Sequence, residues 1–461
     1  MQTIRLNRNS KLPMKRQIYQ SLREQILDGI MAAGEILPST REMAEQLGVS
    51  RNTVSEAYDM LITEGYVLSR QGAPTRVAAG LCIRRLLQVH KVPTKEQHPP
   101  IKVDFHTGRP DLNSFPYYLW RQLMSKTAEE LPKELLNYTG PKGFKSLRTE
   151  IAAWLARSKG LSVDVDDIFI TTGATQAINL LVGLLELSGN QVILEDPCNK
   201  GLRETFLTAG CHLLPIPVDR QGLRTELLQG VKAQAVYVTP SHQFPLGGIL
   251  PAIRRAELLR YAREQEVYLL EDDYDSEFRY TGEPVSPLYA MDSQQVIYIG
   301  TFSKVLFPAI RIGYVLLPKK LQSRWMELRT HMDVQNPPFE QAALAEFLKT
   351  RKFDHHIRRM RKLYGERRAV LLASLTEVFG DTWNVWGDSA GLHLAVEFEG
   401  QSFDADFLQR CYKAGLKIAT VEQHSICKGL HQNKLLLGYG HLEPSRIQEG
   451  IQLLYALIHN P

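Results

Sequence analysis

Five short β-rich runs constrain this chain more than any other feature: Ile168-Phe169-Ile170-Thr171, Gln191-Val192-Ile193-Leu194, Ala235-Val236-Tyr237-Val238, Val267-Tyr268-Leu269-Leu270 and Val296-Ile297-Tyr298-Ile299. The intervals between them are long enough for crossover helices. Such spacing predicts an α/β unit with a mostly parallel sheet and helices on both faces. The first run leads into Gly173-Ala174-Thr175-Gln176, which opens a helix with Ile178, Leu181, Val182 and Leu185 on its buried side. A chain of 461 residues is too long for one ordinary core, so two or three domains are expected.

Sheets of this kind bind ligands where their strands end, and the chemically interesting residues gather there. The Gly173 turn aims backbone N–H groups at the start of a helix, an arrangement suited to a phosphate. Asp272 follows the strand ending at Leu270, where a carboxylate can pair with a protonated pyridine nitrogen. Beyond Ile299 lies Thr301-Phe302-Ser303-Lys304, with Arg311 seven positions after the lysine. An amine between two small hydroxyl residues, with a guanidinium nearby, is what a pyridoxal 5'-phosphate (PLP) site needs. The amine condenses with the aldehyde, and Thr301, Ser303 and Arg311 can hold the phosphate. Each feature alone is commonplace; their order on this architecture is not.

The first fifth of the chain has a different character. Residues 1–91 carry 13 Lys+Arg against 8 Asp+Glu, which accounts for the whole net charge of +5. A basic module on a neutral body is expected where only one end meets a polyanion. Residues 14–31 predict an amphipathic helix with Ile18, Leu22, Ile26 and Ile30 at four-residue spacing. Ser39-Thr40-Arg41-Glu42 fits a capping box for a second helix that ends at Gly48. Ser50 can cap a third, with Val54, Ala57, Tyr58 and Leu61 as its buried stripe. Two short helices and a tight turn form a helix-turn-helix, and residues 66–77 predict a basic hairpin, or wing.

Residues 37–54 closely resemble the winged-helix domain of GntR-type bacterial regulators. By that resemblance Arg41, Ser50, Arg51 and Thr53 touch double-stranded operator DNA, with Arg70 and Gly72 from the wing. Pro74 stands where these wings usually have glycine. The stretch from about 102 to 459 resembles fold-type I aminotransferases, with a large and a small domain. The resemblance makes Lys304 the PLP lysine, pairs Asp272 with the ring nitrogen and sets Tyr274 on the ring hydroxyl. It places Ala174, Thr175, Thr301 and Arg311 around the phosphate, and brings Tyr138 from a second subunit, which implies a homodimer. A winged helix fused to an aminotransferase-like domain is the layout of the MocR-, PdxR- and GabR-type regulators. The domains implied are a DNA-binding unit at 1–80, a polar, Pro-rich linker at 81–101 and the aminotransferase-like unit at 102–461.

Two departures shape the functional expectation. Amino-transferring enzymes fix the substrate carboxylate with an arginine near the C-terminus, yet no arginine occurs between Arg410 and Arg446. Asn199 stands where the family usually stacks an aromatic ring on the pyridine. The expectation is therefore a regulator that binds PLP and senses it, or an amino acid held by Lys200 or Lys434, without acting as an enzyme. The alternative is a working aminotransferase with an appended DNA-binding domain. No metal site is expected from the five scattered cysteines, which suit a reducing cytoplasm. No apolar run approaches membrane-spanning length.

Overall fold

Ser39 starts a helix because its side chain accepts the Glu42 N–H while the Glu42 carboxylate accepts the Ser39 N–H (3.2 and 2.8 Å). The computed structural model describes residues 2–70, 72–81, 100–387 and 389–459. It divides into two compact units, Met1–Gln97 and His98–Pro461. The first contains α1 (Met14–Leu27), α2 (Thr40–Leu47) and α3 (Arg51–Thr63), then an antiparallel hairpin of β1 (Val67–Leu68) and β2 (Arg76–Val77). Gly48 ends α2 in the left-handed region (φ +61°), which a side chain would disfavour. Ser50 restarts the chain as α3 by accepting the Thr53 N–H. Ile18, Leu22, Ile26, Met43, Val54 and Leu61 interlock as the core of this unit.

One expectation here is corrected. The first helix stops at Leu27, not at residue 31, and the chain turns through Gly29 at φ +74°. Ile30 therefore drops out of the stripe and is 40% exposed, while Met31 is buried in its place. A four-residue period cannot register a turn that exchanges one apolar residue for the next. The expected linker at 81–101 lies outside the described residues over 82–99.

In the second unit the strands are β3 (Val103–Asp104), β4 (Ile168–Thr171), β5 (Gln191–Asp196), β6 (His212–Asp219), β7 (Gly222–Leu223), β8 (Ala235–Val238), β9 (Tyr268–Asp273), β10 (Val296–Thr301) and β11 (Gly313–Leu316). Eight of them form one sheet in the order β4-β11-β10-β9-β8-β5-β6-β7. Neighbours from β10 through β6 run parallel, while β11 is antiparallel to both β10 and β4. Alternate residues enter opposite cores. Ile168, Ile170, Leu269, Val296 and Tyr298 face one, and Phe169, Leu270, Ile297 and Ile299 face the other. That alternation decides what the end of β9 can do, because Asp272 and Asp273 must then point to opposite faces.

A smaller sheet of β12 (Trp383–Trp386), β13 (His393–Phe398), β15 (Ala419–Thr420) and β16 (Lys434–Gly438) completes the unit, with β14 (Leu416–Lys417) pairing in parallel with β3. The latter pair brings the segment around Gly108 toward the end of the large sheet. It fits tightly there: a Cβ on Gly438 would lie 2.1 Å from the His106 carbonyl oxygen. Among the described residues no helix is long and apolar enough to cross a membrane.

Candidate functional site

At the C-terminal ends of β8, β9 and β10 lies a cavity of about 660 Å³, within the ~300–1,000 Å³ range of small-molecule sites. Its lining includes Ala174, Thr175, Asp272, Tyr274, Thr301, Ser303, Lys304 and Arg311. These residues are distant in sequence and converge because parallel strands all end on the same side.

Lys304 sits in the turn that follows β10, and its Nζ donates to the Gly108 carbonyl (2.9 Å). Burial pushes its pKa down, partly offset by Asp275 and Asp272. A lysine in that state supplies a neutral amine more readily than a surface one. Gly108 has φ +70°, which a side chain would disfavour, and a Cβ there would stand 2.9 Å from Lys304 Nζ and push the amine aside.

Asp272 is a buried carboxylate with one side unmet. The Tyr237 hydroxyl donates to its Oδ2 (2.5 Å), yet its Oδ1 has no hydrogen-bond partner. Burial drives this carboxyl up to about 6, with the Tyr237 bond pulling the other way. An orphaned acceptor in a cavity marks a place for a donor, and an aromatic ring N–H suits it. The Tyr274 hydroxyl lies 2.9 Å from His242 Nδ1, which is itself 2.8 Å from Asp275 Oδ1. With the Nδ1 proton given to Asp275, the Tyr274 proton is left for a ligand.

The phosphate end is formed where β4 turns into the helix Ala174–Leu184. Gly173, at φ +94°, caps that helix, and a Cβ there would come within 3.2 Å of Arg311 Nη2. Arg311 takes a left-handed backbone (φ +48°) and donates to the Thr172 carbonyl (2.5 Å). Its guanidinium lies against Gly173 at the start of that helix and lines the same cavity as Ala174 and Thr175. The residues present thus fit PLP at each end: Asp272 for the ring nitrogen, Lys304 for the aldehyde carbon, and Thr301, Arg311 and the helix start for the phosphate.

Other expectations fare differently. Tyr138 is 82% exposed and does not line the cavity of its own chain. Lys434, expected as a possible effector anchor, is buried against Glu397 (2.9 Å) and does not line the cavity. Lys200 is exposed and also outside the lining. A cation with no local sequence signal, Lys417, does line the cavity, 3.6 Å from Asp104. It escapes a reading of the sequence because the β14–β3 pairing that delivers it involves only two residues per strand. Asn199 spends its side chain capping the helix Lys200–Thr208. The rings near it are Phe244 and His424, whose centroids lie 5.1 Å apart. β16, on or after which a carboxylate arginine would be expected, carries Leu435, Leu436 and Leu437, all fully buried.

In the first unit, Arg41, Ser50, Arg51, Arg70 and Gly72 are exposed and Thr53 is half-buried. Arg51 and Thr53 sit in the first turn of α3, where Arg51 Nε donates to Thr40 Oγ1 (3.2 Å) and the Ser50 and Thr53 hydroxyls meet at 2.8 Å. Arg41 is on α2, and Arg70 and Gly72 lie at the tip of the hairpin.

Comparison with known proteins agrees with both halves. Residues 14–77 match the model of the gntR family of bacterial regulatory proteins, and residues 100–426 match that of class I and II aminotransferases. The chain is 33% identical to the probable rhizopine catabolism regulatory protein MocR of Rhizobium meliloti, over 97% of this chain and 94% of that protein. It is 32% identical to the pyridoxine biosynthesis regulator PdxR of Corynebacterium glutamicum, over 81% and 82% respectively. Among solved structures, Pyrococcus horikoshii kynurenine aminotransferase, in complex with PMP, superposes with a TM-score of 0.72 at 27% identity, covering 78% of this chain and 91% of that one.

Proposed function

The chain belongs to the MocR-type transcriptional regulators, a gntR-family helix-turn-helix joined to an aminotransferase class I and II fold, and on that premise we propose that it is a PLP-responsive, dimeric DNA-binding protein of the bacterial cytoplasm. The observation that carries the PLP reading is the unpartnered Oδ1 of Asp272, buried in the same cavity as Lys304. When bound, PLP supplies a reactive aldehyde and an electron-accepting ring. Lys304 would provide the amine for its aldehyde, Asp272 would accept from the ring nitrogen and Tyr274 would donate to the ring hydroxyl. Thr301, Arg311 and the N–H groups of Ala174 and Thr175 hold the phosphate, and Tyr138 of a second copy closes the site.

DNA is met by Arg41, Ser50, Arg51 and Thr53, with Arg70 and Gly72 at the wing. Occupancy of the Lys304 cavity favours one arrangement of the DNA-binding units over another, a population shift in which the signal must bind the two states unequally. The aminotransferase-like unit then serves as a sensor. Against an enzyme stands the cavity lining: among the described residues, Lys417 is its one Lys or Arg besides Lys304 and Arg311, and no residue of β16 reaches it.

The test is selection of bound fragments from a genomic DNA library with and without saturating PLP. The reading requires a specific fragment whose affinity changes at least several-fold with PLP. Equal affinity in both conditions would refute PLP as the signal. Steady turnover of an amino acid and a keto acid would favour the enzyme instead.

A further inference from the structure

On the opposite face of the sheet from Lys304, a second cavity of about 340 Å³ opens between the end of the helix Lys145–Lys159, the loop after β9 and the start of the helix Lys352–Phe379. Its charge is unusual for a unit whose sequence is otherwise balanced. Six cations line it, namely Arg157, Lys159, Arg279, Arg351, Arg358 and Arg361. Only three carboxylates answer them among the described residues. Asp354 serves Arg157 and Arg351 (3.5 and 3.4 Å), while Asp273 and Glu277 serve the buried Lys159 (2.6 and 3.2 Å).

Arg279, Arg358 and Arg361 have no carboxylate within ion-pair distance among the described residues. Arg361 Nε donates to the Glu277 carbonyl (2.9 Å) and Arg358 meets the ring of His355 (2.9 Å). Arg279 is the innermost of the three, and its buried Nε has no hydrogen-bond partner among the described residues. The loop makes room for it with Gly282 (φ +74°), where a Cβ would stand 3.0 Å from Arg279 Nη2. Three unneutralised guanidinium groups around one concavity repel one another and focus a positive potential into it. Planar, bidentate donors in that setting match an oxyanion better than any neutral ligand.

We propose that this cavity is a binding site for a small polyanion carrying at least two oxyanion charges, separate from the PLP cavity. Its size suits a small molecule, and Arg279 is half-buried where Arg358 and Arg361 are exposed, which sets it back from the open surface. The site touches the other face of the same strand end: Lys159 joins it to Asp273, and the preceding residue, Asp272, points into the PLP cavity. An anion that draws on Lys159 would therefore be felt at β9, giving the chain a second input.

The experiment is isothermal titration of the full-length protein with pyrophosphate and, separately, citrate, in a buffer free of phosphate. The proposal requires saturable binding of one of them at one site per chain; pyrophosphate alone would indicate phosphate chemistry, citrate alone a polycarboxylate. Binding should weaken at least tenfold in Arg279→Gln and in the double variant Arg358→Glu/Arg361→Glu, whose surface positions leave the fold intact. Arg311→Gln, which removes the phosphate cation of the PLP cavity, should leave it unchanged. No saturable heat with either anion, binding that survives the double variant, or binding lost in Arg311→Gln would overturn the proposal. So would a double variant that weakens DNA binding with no anion present, since the surface would then be a DNA contact.

Discussion

Asp272 and Asp273 are neighbours on one strand, alike in residue type and burial, and their surroundings have made them opposites. Asp273 faces Lys159 and accepts from Lys159 and the Tyr298 hydroxyl (2.6 and 2.7 Å). Burial alone would raise its carboxyl, but the Lys159 ammonium and these bonds hold it below the usual range. Each carboxylate keeps one oxygen without a hydrogen-bond partner, but Asp272 has only the Tyr237 hydroxyl as a donor and no ion pair among the described residues, and burial carries it up to about 6. The contrast teaches how a structural carboxylate differs from a binding one. The first has its charge met by a cation that the fold supplies; the second has no ion pair among the described residues and faces a cavity where a ligand can supply the donor.

The largest expected effect breaks the structural member. Asp273→Asn leaves the buried Lys159 with Glu277 as its remaining carboxylate and should cost about 3–5 kcal/mol of stability, read by denaturant unfolding. Asp272→Asn should do the reverse. Its raised carboxyl favours folding below the unfolded pKa, and that contribution is lost as pH rises through about 6, so the ionised group burdens the PLP-free protein at neutral pH. The variant should therefore unfold at an equal or higher temperature without PLP, while binding PLP at least tenfold more weakly by equilibrium dialysis. In the unaltered protein PLP affinity should fall as pH drops through about 6, because protonated Asp272 no longer offers the negative charge that holds a protonated ring nitrogen. Tyr237→Phe should have the smallest effect. Removing the one donor to Asp272 shifts that midpoint upward by less than about one pH unit.

Much of the PLP cavity is legible in the sequence, and the reason is physical. Lys304, Arg311, Asp272 and Gly173 are read from short local runs at strand ends, and parallel strands bring such ends together without further information. The illegible part depends on long-range pairing. Lys417 and Gly108 reach the cavity only through the β3–β14 pair, and no local pattern marks a two-residue strand. β11, next to the phosphate end, joins the sheet antiparallel to both neighbours, so the strand–helix alternation that marks the parallel strands does not mark it. Lys434 misleads for the complementary reason: its sequence position suggests the substrate site, but Glu397 on the neighbouring strand takes its charge. In the DNA-binding unit the capping residues Ser39, Glu42 and Ser50 mark the helix starts, whereas the end of α1 at Leu27 has no such signal until Gly29.

The central claim is that Lys304 holds PLP, and borohydride reduction of the PLP-treated protein followed by peptide mass spectrometry tests it most directly. A phosphopyridoxyl group is expected on the peptide containing Lys304, and none at that position in Lys304→Ala. An unlabelled Lys304 at saturating PLP, or a label confined to other lysines, would contradict it.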